Sequence, residues 1–184
     1  MTDETDRLIV LTGGPGSGKT TLIAALARRG FAVRPEAGRA IIRDQQAIDG
    51  PGLPWRDRAL FAELMLAADL RSHDEARGAE GPVFFDRGLP DIVGYLTLCG
   101  LPVPPHAEAA AQRLRYRRTV FIAPPWAAIF GQDAERKQDF AEAERTYQAM
   151  ARTYPRFGYD LAILPQASVE SRVDFILQRL GREP

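Results

Sequence analysis

The stretch that decides the fold runs Leu8-Ile9-Val10-Leu11-Thr12-Gly13-Gly14-Pro15-Gly16-Ser17-Gly18-Lys19-Thr20-Thr21. An apolar run of strand length leads into a turn that matches G-x-x-x-x-G-K-[ST] from Gly13 to Thr20. The glycines allow successive backbone N–H groups, and the start of the next helix, to point at a phosphate. Lys19 is expected to reach the β- and γ-phosphates, and Thr20 to ligate Mg²⁺. Since an empty glycine-rich turn would need neither side chain, residues 13–21 predict a nucleoside triphosphate site.

Length and composition limit the class of protein. With 184 residues, 45% of them hydrophobic, the chain can bury one core, so we expect one domain over residues 1–184. The 24 basic and 24 acidic residues balance, which disfavours a nucleic-acid partner. Cys99 is the only cysteine, which excludes an intramolecular disulfide and fits a reducing compartment. No stretch approaches the ~20 apolar residues of a membrane span, so we expect a cytoplasmic protein without membrane association.

Apolar runs of strand length alternate with helical patterns along the chain. This alternation predicts an α/β domain with a mainly parallel sheet, and the runs lie at 8–11, 31–33, 83–85, 120–123 and 161–164. A long helical pattern between the second and third runs extends from about Trp55 to Arg77. The last helical pattern has a single apolar stripe and predicts a helix that serves packing only, through Val169, Val173, Ile176, Leu177 and Leu180.

Asp86 stands where the third apolar run ends, in Val83-Phe84-Phe85-Asp86-Arg87-Gly88. In a phosphate-loop protein this is the place of the acid that organises Mg²⁺ beside Thr20. The alternative is an aspartate that caps the next helix, for which Asp91 is an equally good candidate. The residue after Asp86 is Arg87 and not a second acid that could activate water. This favours phosphoryl transfer to a bound substrate over the hydrolysis of a motor ATPase.

Glu36 follows the second apolar run, in Arg34-Pro35-Glu36-Ala37-Gly38-Arg39. If the second strand lies near the first, Glu36 faces the γ-phosphate and could act as a general base or an outer-sphere metal partner. The alternative is an acidic residue in the first turn of a helix, where the helix dipole favours it. Arg39, one turn further on, could hold an anionic or hydroxyl-rich acceptor, or be a solvated surface arginine.

Several other side chains are interpreted structurally. Trp55 and Phe61 could line an acceptor pocket, although aromatic residues on a long helix usually belong to a core. His73 and His106 have no metal-ligating partner at a recognised spacing, which predicts that both lie at the surface.

The chain resembles the small kinase-like P-loop family of predicted AAA-type ATPases, and more distantly the ribosylnicotinamide kinase domain and the deoxynucleoside kinases. The resemblance rests on residues 13–20, Pro35-Glu36-Ala37-Gly38-Arg39, Asp86-Arg87-Gly88 and Arg136-Lys137-Gln138-Asp139-Phe140. It implies a three-layer α/β/α sandwich with a five-stranded parallel sheet in the order 2-3-1-4-5. It also implies that Glu36 and Asp86-Arg87 flank the transferred phosphate. Gly88 stands where deoxynucleoside kinases usually carry serine, and no motif fixes a nucleoside base.

The segment Gly131–Phe140 follows the fourth apolar run and is rich in charge. In kinases of this build the equivalent segment is a lid that excludes water, and its arginine stabilises charge on the transferred phosphoryl group. Arg136 is the first candidate for that arginine and Lys137 the second. The alternative is a solvated charged loop that leads into the next helix.

Together these features predict an ATP- and Mg²⁺-dependent kinase that transfers the γ-phosphate to an unidentified small-molecule acceptor. Lys19, Arg87 and Arg136 would carry phosphate charge, and Thr20 and Asp86 would hold the metal. The acceptor would meet Glu36, Arg39 and Arg87. The alternative is a nucleotide-dependent switch or slow ATPase that acts with a protein partner, and a homodimer is left open. A GTPase is disfavoured, because the chain has no Asn-Lys-x-Asp or Thr-Lys-x-Asp motif.

Overall fold

A five-stranded parallel sheet forms the centre of the molecule in a computed structural model that describes residues 4–130 and 139–181. Its strands are β1 (Leu8–Gly13), β2 (Ala32–Arg34), β3 (Val83–Asp86), β4 (Thr119–Ala123) and β5 (Asp160–Ile163). They lie in the order β2-β3-β1-β4-β5, and every neighbouring pair is parallel. The parallel sheet and its predicted strand order are therefore confirmed.

Seven helices connect and cover the strands of the described chain. They are α1 (Lys19–Arg28), α2 (Ala37–Ala47), α3 (Arg58–Arg77), α4 (Leu89–Leu98), α5 (Pro105–Arg113), α6 (Phe140–Arg156) and α7 (Val169–Arg179). Helix α3 begins three residues later than Trp55, because the Asp57 side chain accepts a hydrogen bond from the Leu60 N–H and caps the helix there. Within residues 4–130 and 139–181, the helices lack the length and apolar character that crossing a bilayer requires.

The sheet separates two hydrophobic layers, as the alternation of side chains along β1 shows. Leu8 and Val10 pack on one face, in a cluster with buried residues of α2 to α6. Ile9 and Leu11 pack on the other face, against α1 and α7. Successive residues of a strand point to opposite faces, and both faces of a parallel sheet are normally covered. The result is the expected three-layer α/β/α sandwich.

One side-chain prediction was wrong, because it overlooked the helical stripe on which the residue lies. His73 is 4% exposed, and its Nε2 atom lies 3.0 Å from the Arg115 carbonyl oxygen. It follows Phe61 and Met65 on the buried side of α3, at a spacing that keeps residues on one face. His73 is therefore a core residue, whereas His106 is exposed beside Glu63 as predicted.

Candidate functional site

The phosphate loop joins the end of β1 to the start of α1 and surrounds the Lys19 ammonium. Lys19 is 5% exposed, and its Nζ atom donates to the Gly14 carbonyl at 2.7 Å and to the Ser17 hydroxyl at 3.3 Å. Ser17 in turn donates to the Gly14 carbonyl at 2.8 Å. Thr20 and Thr21 are exposed at the first turn of α1. The loop thus places a buried cation next to an open helix start.

Two glycines are required by close packing around this loop. Gly13 has φ +129°, and a Cβ there would collide with the carbonyl of Ala123 at the end of β4. A Cβ on Gly14 would collide with the carbonyl of Ala143 in α6. Side chains would therefore push the loop away from the sheet and from α6.

The start of α1 is suited to an anion. Its N-cap, Gly18, provides no side-chain hydrogen bond, and the first turn contains no acidic residue. The unpaired N–H groups and the positive end of the helix dipole attract negative charge. The described part of the site can therefore accept phosphate oxygens through backbone and through Lys19.

Asp86 ends β3 and pairs in register with Leu11 of β1, which brings its carboxylate to the same edge of the sheet as the loop. It is 6% exposed, and its Oδ1 atom has no hydrogen-bond partner among the described residues. Burial raises the pKa of Asp86 to about 6, against the opposing effect of Lys19. Mg²⁺ is commonly bound by one or two protein oxygens together with phosphates and water. Asp86 and Thr20 fit that requirement.

Asp91, and not Asp86, caps the following helix. The Asp91 carboxylate accepts the N–H of Gly88, the residue that precedes α4, at 3.0 Å. The alternative interpretation of Asp86 as a helix cap is therefore wrong. Capping does not explain why the Oδ1 atom of Asp86 is buried without a hydrogen-bond partner among the described residues.

Arg87 connects the loop, α2 and α4 through one guanidinium. Its Nε donates to Glu36 at 3.1 Å, and its Nη1 donates to Asp91 and to the Gly13 carbonyl, both at 3.0 Å. Burial lowers the pKa of Arg87, but Glu36, Asp91 and Asp86 outweigh burial and raise it above its ordinary value. Arg87 also has φ +76°, a conformation that costs a non-glycine residue about 1–2 kcal/mol. Such strain persists where surrounding contacts hold it, as they do here.

Asp91 has a larger role than the sequence indicated. In addition to Arg87 and the Gly88 N–H, its carboxylate accepts hydrogen bonds from the Thr12 hydroxyl at 2.7 Å and from the Tyr154 hydroxyl. Asp91 is 4% exposed. It therefore fixes the end of β1, the start of α4 and the last turn of α6 around Arg87.

Glu36 occupies the N-cap position of α2, yet its side chain does not cap the helix. It pairs with Arg87 at 3.1 Å and lies 3.8 Å from the Nε atom of Arg39. The structure thus brings Glu36, Asp86 and Arg87 together, and their place beside a transferred phosphate stays a prediction. Arg39 contacts Glu36 from the side and is not among the described residues that line the adjoining cavity.

A cavity of about 790 Å³ opens beside this cluster, between the start of α2 and helices α3, α4 and α6. It reaches the phosphate loop at Pro15 and contains Glu36 and Arg87 at that end. Phe61 and Trp55 both line it. Phe61 also belongs to the hydrophobic core, whereas Trp55 is exposed, and contact of either ring with an acceptor stays a prediction. Its apolar wall is completed by Ile42, Met65, Ile92, Tyr95 and Met150.

Asp69 is the site residue that sequence reasoning missed. It lies on α3 and lines the cavity. Burial, followed by repulsion from Asp91 and Glu36, raises its pKa to about 8. A signal was present: Asp69 continues the buried stripe of Phe61 and Met65 at four-residue spacing, where a carboxylate is out of place.

Arg172 is a second contribution that was missed, and it corrects the prediction that α7 serves packing alone. The apolar stripe of α7 does pack as predicted. Arg172 on the same helix is 2% exposed and donates to the Ser17 carbonyl at 3.1 Å. A Cβ on Gly18 would also strike its guanidinium. Arg172 thus stabilises the phosphate loop from α7, through the backbone of Ser17.

The predicted lid, Gly131–Phe140, lies largely outside the described residues, and so do Arg136 and Lys137. Their roles stay predictions. At its two ends, the rings of Phe130 and Phe140 meet edge to face with centroids 5.4 Å apart. Phe130 also packs against Gly16 of the phosphate loop.

Replacement of Asp86 by asparagine keeps the shape of the side chain but removes its charge. We expect Asp86→Asn to weaken Mg²⁺-dependent nucleotide binding about 10- to 100-fold, the usual value of a charged interaction. In the wild type, this binding should strengthen as the pH rises through about 6, where Asp86 loses its proton. Magnesium titrations with a fluorescent nucleotide measure both effects. Asp160→Asn, at an exposed carboxylate that begins β5, is the control. An unchanged metal requirement would remove Asp86 from the metal site.

A family model described as an AAA domain matches residues 8–172. No curated protein matches the chain at a significant level. The deoxyadenosine kinase of M. mycoides, solved with dCMP and a flexible dCDP bound, is 14% identical, with a TM-score of 0.69 over 95% of this chain and 98% of that chain. The thymidylate kinase of Ehrlichia chaffeensis is 15% identical, with a TM-score of 0.64 over 94% of this chain and 97% of that chain.

The NadR protein, solved in complex with NR, is 18% identical, with a TM-score of 0.77 over 97% of this chain. The match covers 53% of NadR, so the chain spans about half the length of that protein. At these identities the likenesses establish a shared fold, which is that of P-loop kinases. The substrate has to be argued from the site itself.

Proposed function

Because this chain belongs to the AAA domain family and has the fold of P-loop kinases, we propose that it transfers the γ-phosphate of ATP to a hydroxyl group of a small molecule. The observation that carries this proposal is the cavity of about 790 Å³, which reaches the phosphate loop at Pro15 and has Glu36 and Arg87 in its wall. A protein that only hydrolysed ATP would need a site for water and not a pocket of this size. Ligand pockets of small-molecule enzymes have volumes in this range.

The side chains of the site have three proposed roles toward the nucleotide: binding of phosphate charge, the lid arginine and binding of the metal. Lys19 stabilises charge on the β- and γ-phosphates, and so does Arg87, which donates to the same Gly13 carbonyl as Lys19. Arg136, outside the described residues, is proposed as the lid arginine. Thr20 and Asp86 would hold Mg²⁺, which supplies positive charge between the phosphates when it is bound.

Glu36 is proposed as the general base for the acceptor. The acceptor hydroxyl gives its proton to the Glu36 carboxylate as its oxygen forms a bond to the γ-phosphorus. The bond from that phosphorus to the β-bridging oxygen breaks, and ADP leaves with the electron pair. Arg87 and Arg39 hold the Glu36 carboxylate in position, and a contact of Arg39 with the acceptor stays a prediction.

The function is tested by measuring ADP formation with and without fractionated small metabolites, followed by mass spectrometry of the product. A kinase should form ADP in proportion to a newly phosphorylated metabolite. ADP formation that needs no metabolite and responds to an added protein would favour the switch or slow ATPase instead.

Lys19→Ala tests the nucleotide site itself. Because the ammonium is buried on the loop and lies outside both hydrophobic clusters, we expect the fold to persist. Affinity for ATP should fall about 10- to 100-fold, the usual value of a charged hydrogen-bonding group. Calorimetry measures this loss, and Arg28→Ala, at the exposed end of the same helix, serves as the control. Wild-type affinity in Lys19→Ala would contradict the assignment of the phosphate loop.

A further inference from the structure

Asp69 differs from the other carboxylates of the cavity in having no partner. Glu36 and Asp91 are both bound by Arg87. No hydrogen bond or ion pair joins Asp69 to any residue in the described ranges 4–130 and 139–181, although it lies on the inner wall of the cavity. A carboxyl group in such a place costs free energy unless something pairs with it.

The surroundings of Asp69 make it a site for positive charge. Asp91 of α4, Glu36 at the start of α2 and Asp86 at the end of β3 act on it with negative charge, and Arg87 acts on it with positive charge. The buried Tyr116 hydroxyl also interacts with it electrostatically. Arg87 is already shared between Glu36 and Asp91. An additional positive group near Asp69 would therefore be attracted by several carboxylates at once.

The other charged groups of the cavity do not compete with Asp69 for this role. Arg58 and Arg145 line the cavity but are exposed, so water can solvate their charges. Glu142, the remaining carboxylate of the wall, already has an interaction of its own, unlike Asp69. The rest of the wall is apolar and aromatic, with Phe61 and Tyr95 meeting edge to face at 5.8 Å. A ligand that fills this space needs an apolar or aromatic body.

On the basis of the proposed function, we propose that the acceptor is a hydroxyl-bearing molecule with an apolar body and a cationic amine, which pairs with Asp69. The hydroxyl lies at the Glu36 end of the cavity and the amine at the Asp69 end. An anionic acceptor such as a nucleoside monophosphate is disfavoured by repulsion from the four carboxylates that line the cavity, which are Glu36, Asp69, Asp91 and Glu142.

Three probes of one shape isolate the charge: 4-(aminomethyl)benzyl alcohol, 1,4-benzenedimethanol and 4-(hydroxymethyl)benzoate. Each has the same ring and hydroxyl group, with a cationic, neutral or anionic second group. Binding to the protein saturated with ADP and Mg²⁺ is measured by ligand-observed NMR at millimolar concentration. We expect the amine to bind about tenfold more tightly than the diol, and the benzoate to bind most weakly. This preference should grow as the pH rises through about 8, where Asp69 loses its proton.

Asp69→Asn should abolish both the preference for the amine and its pH dependence. The exposed Asp74→Asn on the same helix should leave both unchanged. Equal binding of the three probes, tighter binding of the benzoate, binding of none, or a preference retained in Asp69→Asn would each overturn the inference. The measurement needs no phosphoryl transfer. An amine that binds at Asp69 but is never phosphorylated would support the charge preference of the cavity and count against the kinase activity. Phosphorylation of an anionic acceptor would support the kinase activity and count against the charge preference.

A stability measurement shows whether Asp69→Asn is folded and gives a second readout. The pKa of Asp69 is raised to about 8 from 3.8, so the unfolded chain releases this proton at lower pH than the folded protein does. The stability that the protonated carboxyl contributes is therefore lost as the pH rises from about 4 to about 8. Asparagine stays neutral, so the Tm of Asp69→Asn should exceed that of the wild type above pH 8 and approach it in acid. A lower Tm at all pH values would show that Asp69 has a structural partner.

Discussion

Glu36→Gln should lower the rate of the chemical step by about 10²- to 10⁴-fold, the usual contribution of a general base. Glutamine has nearly the same shape and can still accept a hydrogen bond from Arg87, but it cannot take the proton of the acceptor hydroxyl. ATP affinity should change little, because Glu36 lies at the acceptor side of the site. Single-turnover kinetics with the acceptor found by mass spectrometry measure the step directly.

Two comparisons make the Glu36 result specific. Asp44→Asn neutralises an exposed carboxylate on the same helix and should keep the wild-type rate. A loss smaller than about threefold in Glu36→Gln would mean that Glu36 positions Arg87 and does not act as a base.

Arg87→Ala should destabilise the protein by about 3–5 kcal/mol, because it leaves buried carboxylates without their cation. The guanidinium now serves Glu36, Asp91 and the Gly13 carbonyl together. Arg87→Lys should recover only part of the loss, since one ammonium cannot reproduce the fork that reaches partners on both sides. Urea unfolding measures the free energy of unfolding. Phosphoryl transfer should be lost in parallel, because Arg87 also faces the proposed phosphate site.

The destabilisation by Arg87→Ala should depend on pH in a defined direction. Asp69 and Asp86 already have raised pKa values, of about 8 and about 6, and both rise further when the cation is removed. Protonation relieves the repulsion, so the loss should shrink as the pH falls. Arg118→Ala removes an exposed partner of Asp160 and should cost less than about 1 kcal/mol. A similar, pH-independent effect of both variants would show that the Arg87 cluster is no more than a surface ion pair.

The strands and the phosphate loop could be predicted because their signals are local. The loop is specified by 14 consecutive residues, which contain a strand, a turn and the beginning of a helix. The glycines in this segment allow the backbone conformation and the close packing that the turn requires. Boundaries shifted by only one to four residues, as at the start of α3, where Asp57 caps the helix. The place of Asp86 at the end of β3 could also be predicted, because the apolar run stops there, whereas its role at a metal stays a prediction.

The side chains around Arg87 could be predicted only in part. The sequence pointed to Glu36, Asp86 and Arg87 separately, while Asp91 was seen as a helix cap and Asp69 was not seen at all. Asp91 binds Thr12, 79 positions away, and Tyr154, 63 positions away. No periodicity or spacing rule connects residues so distant in the chain.

The sequence by itself determined the parallel sheet, the phosphate loop and the acid at the end of β3, because each follows from backbone geometry over a few neighbouring residues. Only the tertiary structure decided that α2, α3, α4 and α6 enclose a cavity, that Arg87 neutralises Glu36 and Asp91 in its wall, and that Asp69 is left there without a partner. The physical reason is that burial and the sum of nearby charges set the cost of each ionised group, and both depend on which distant segments pack together.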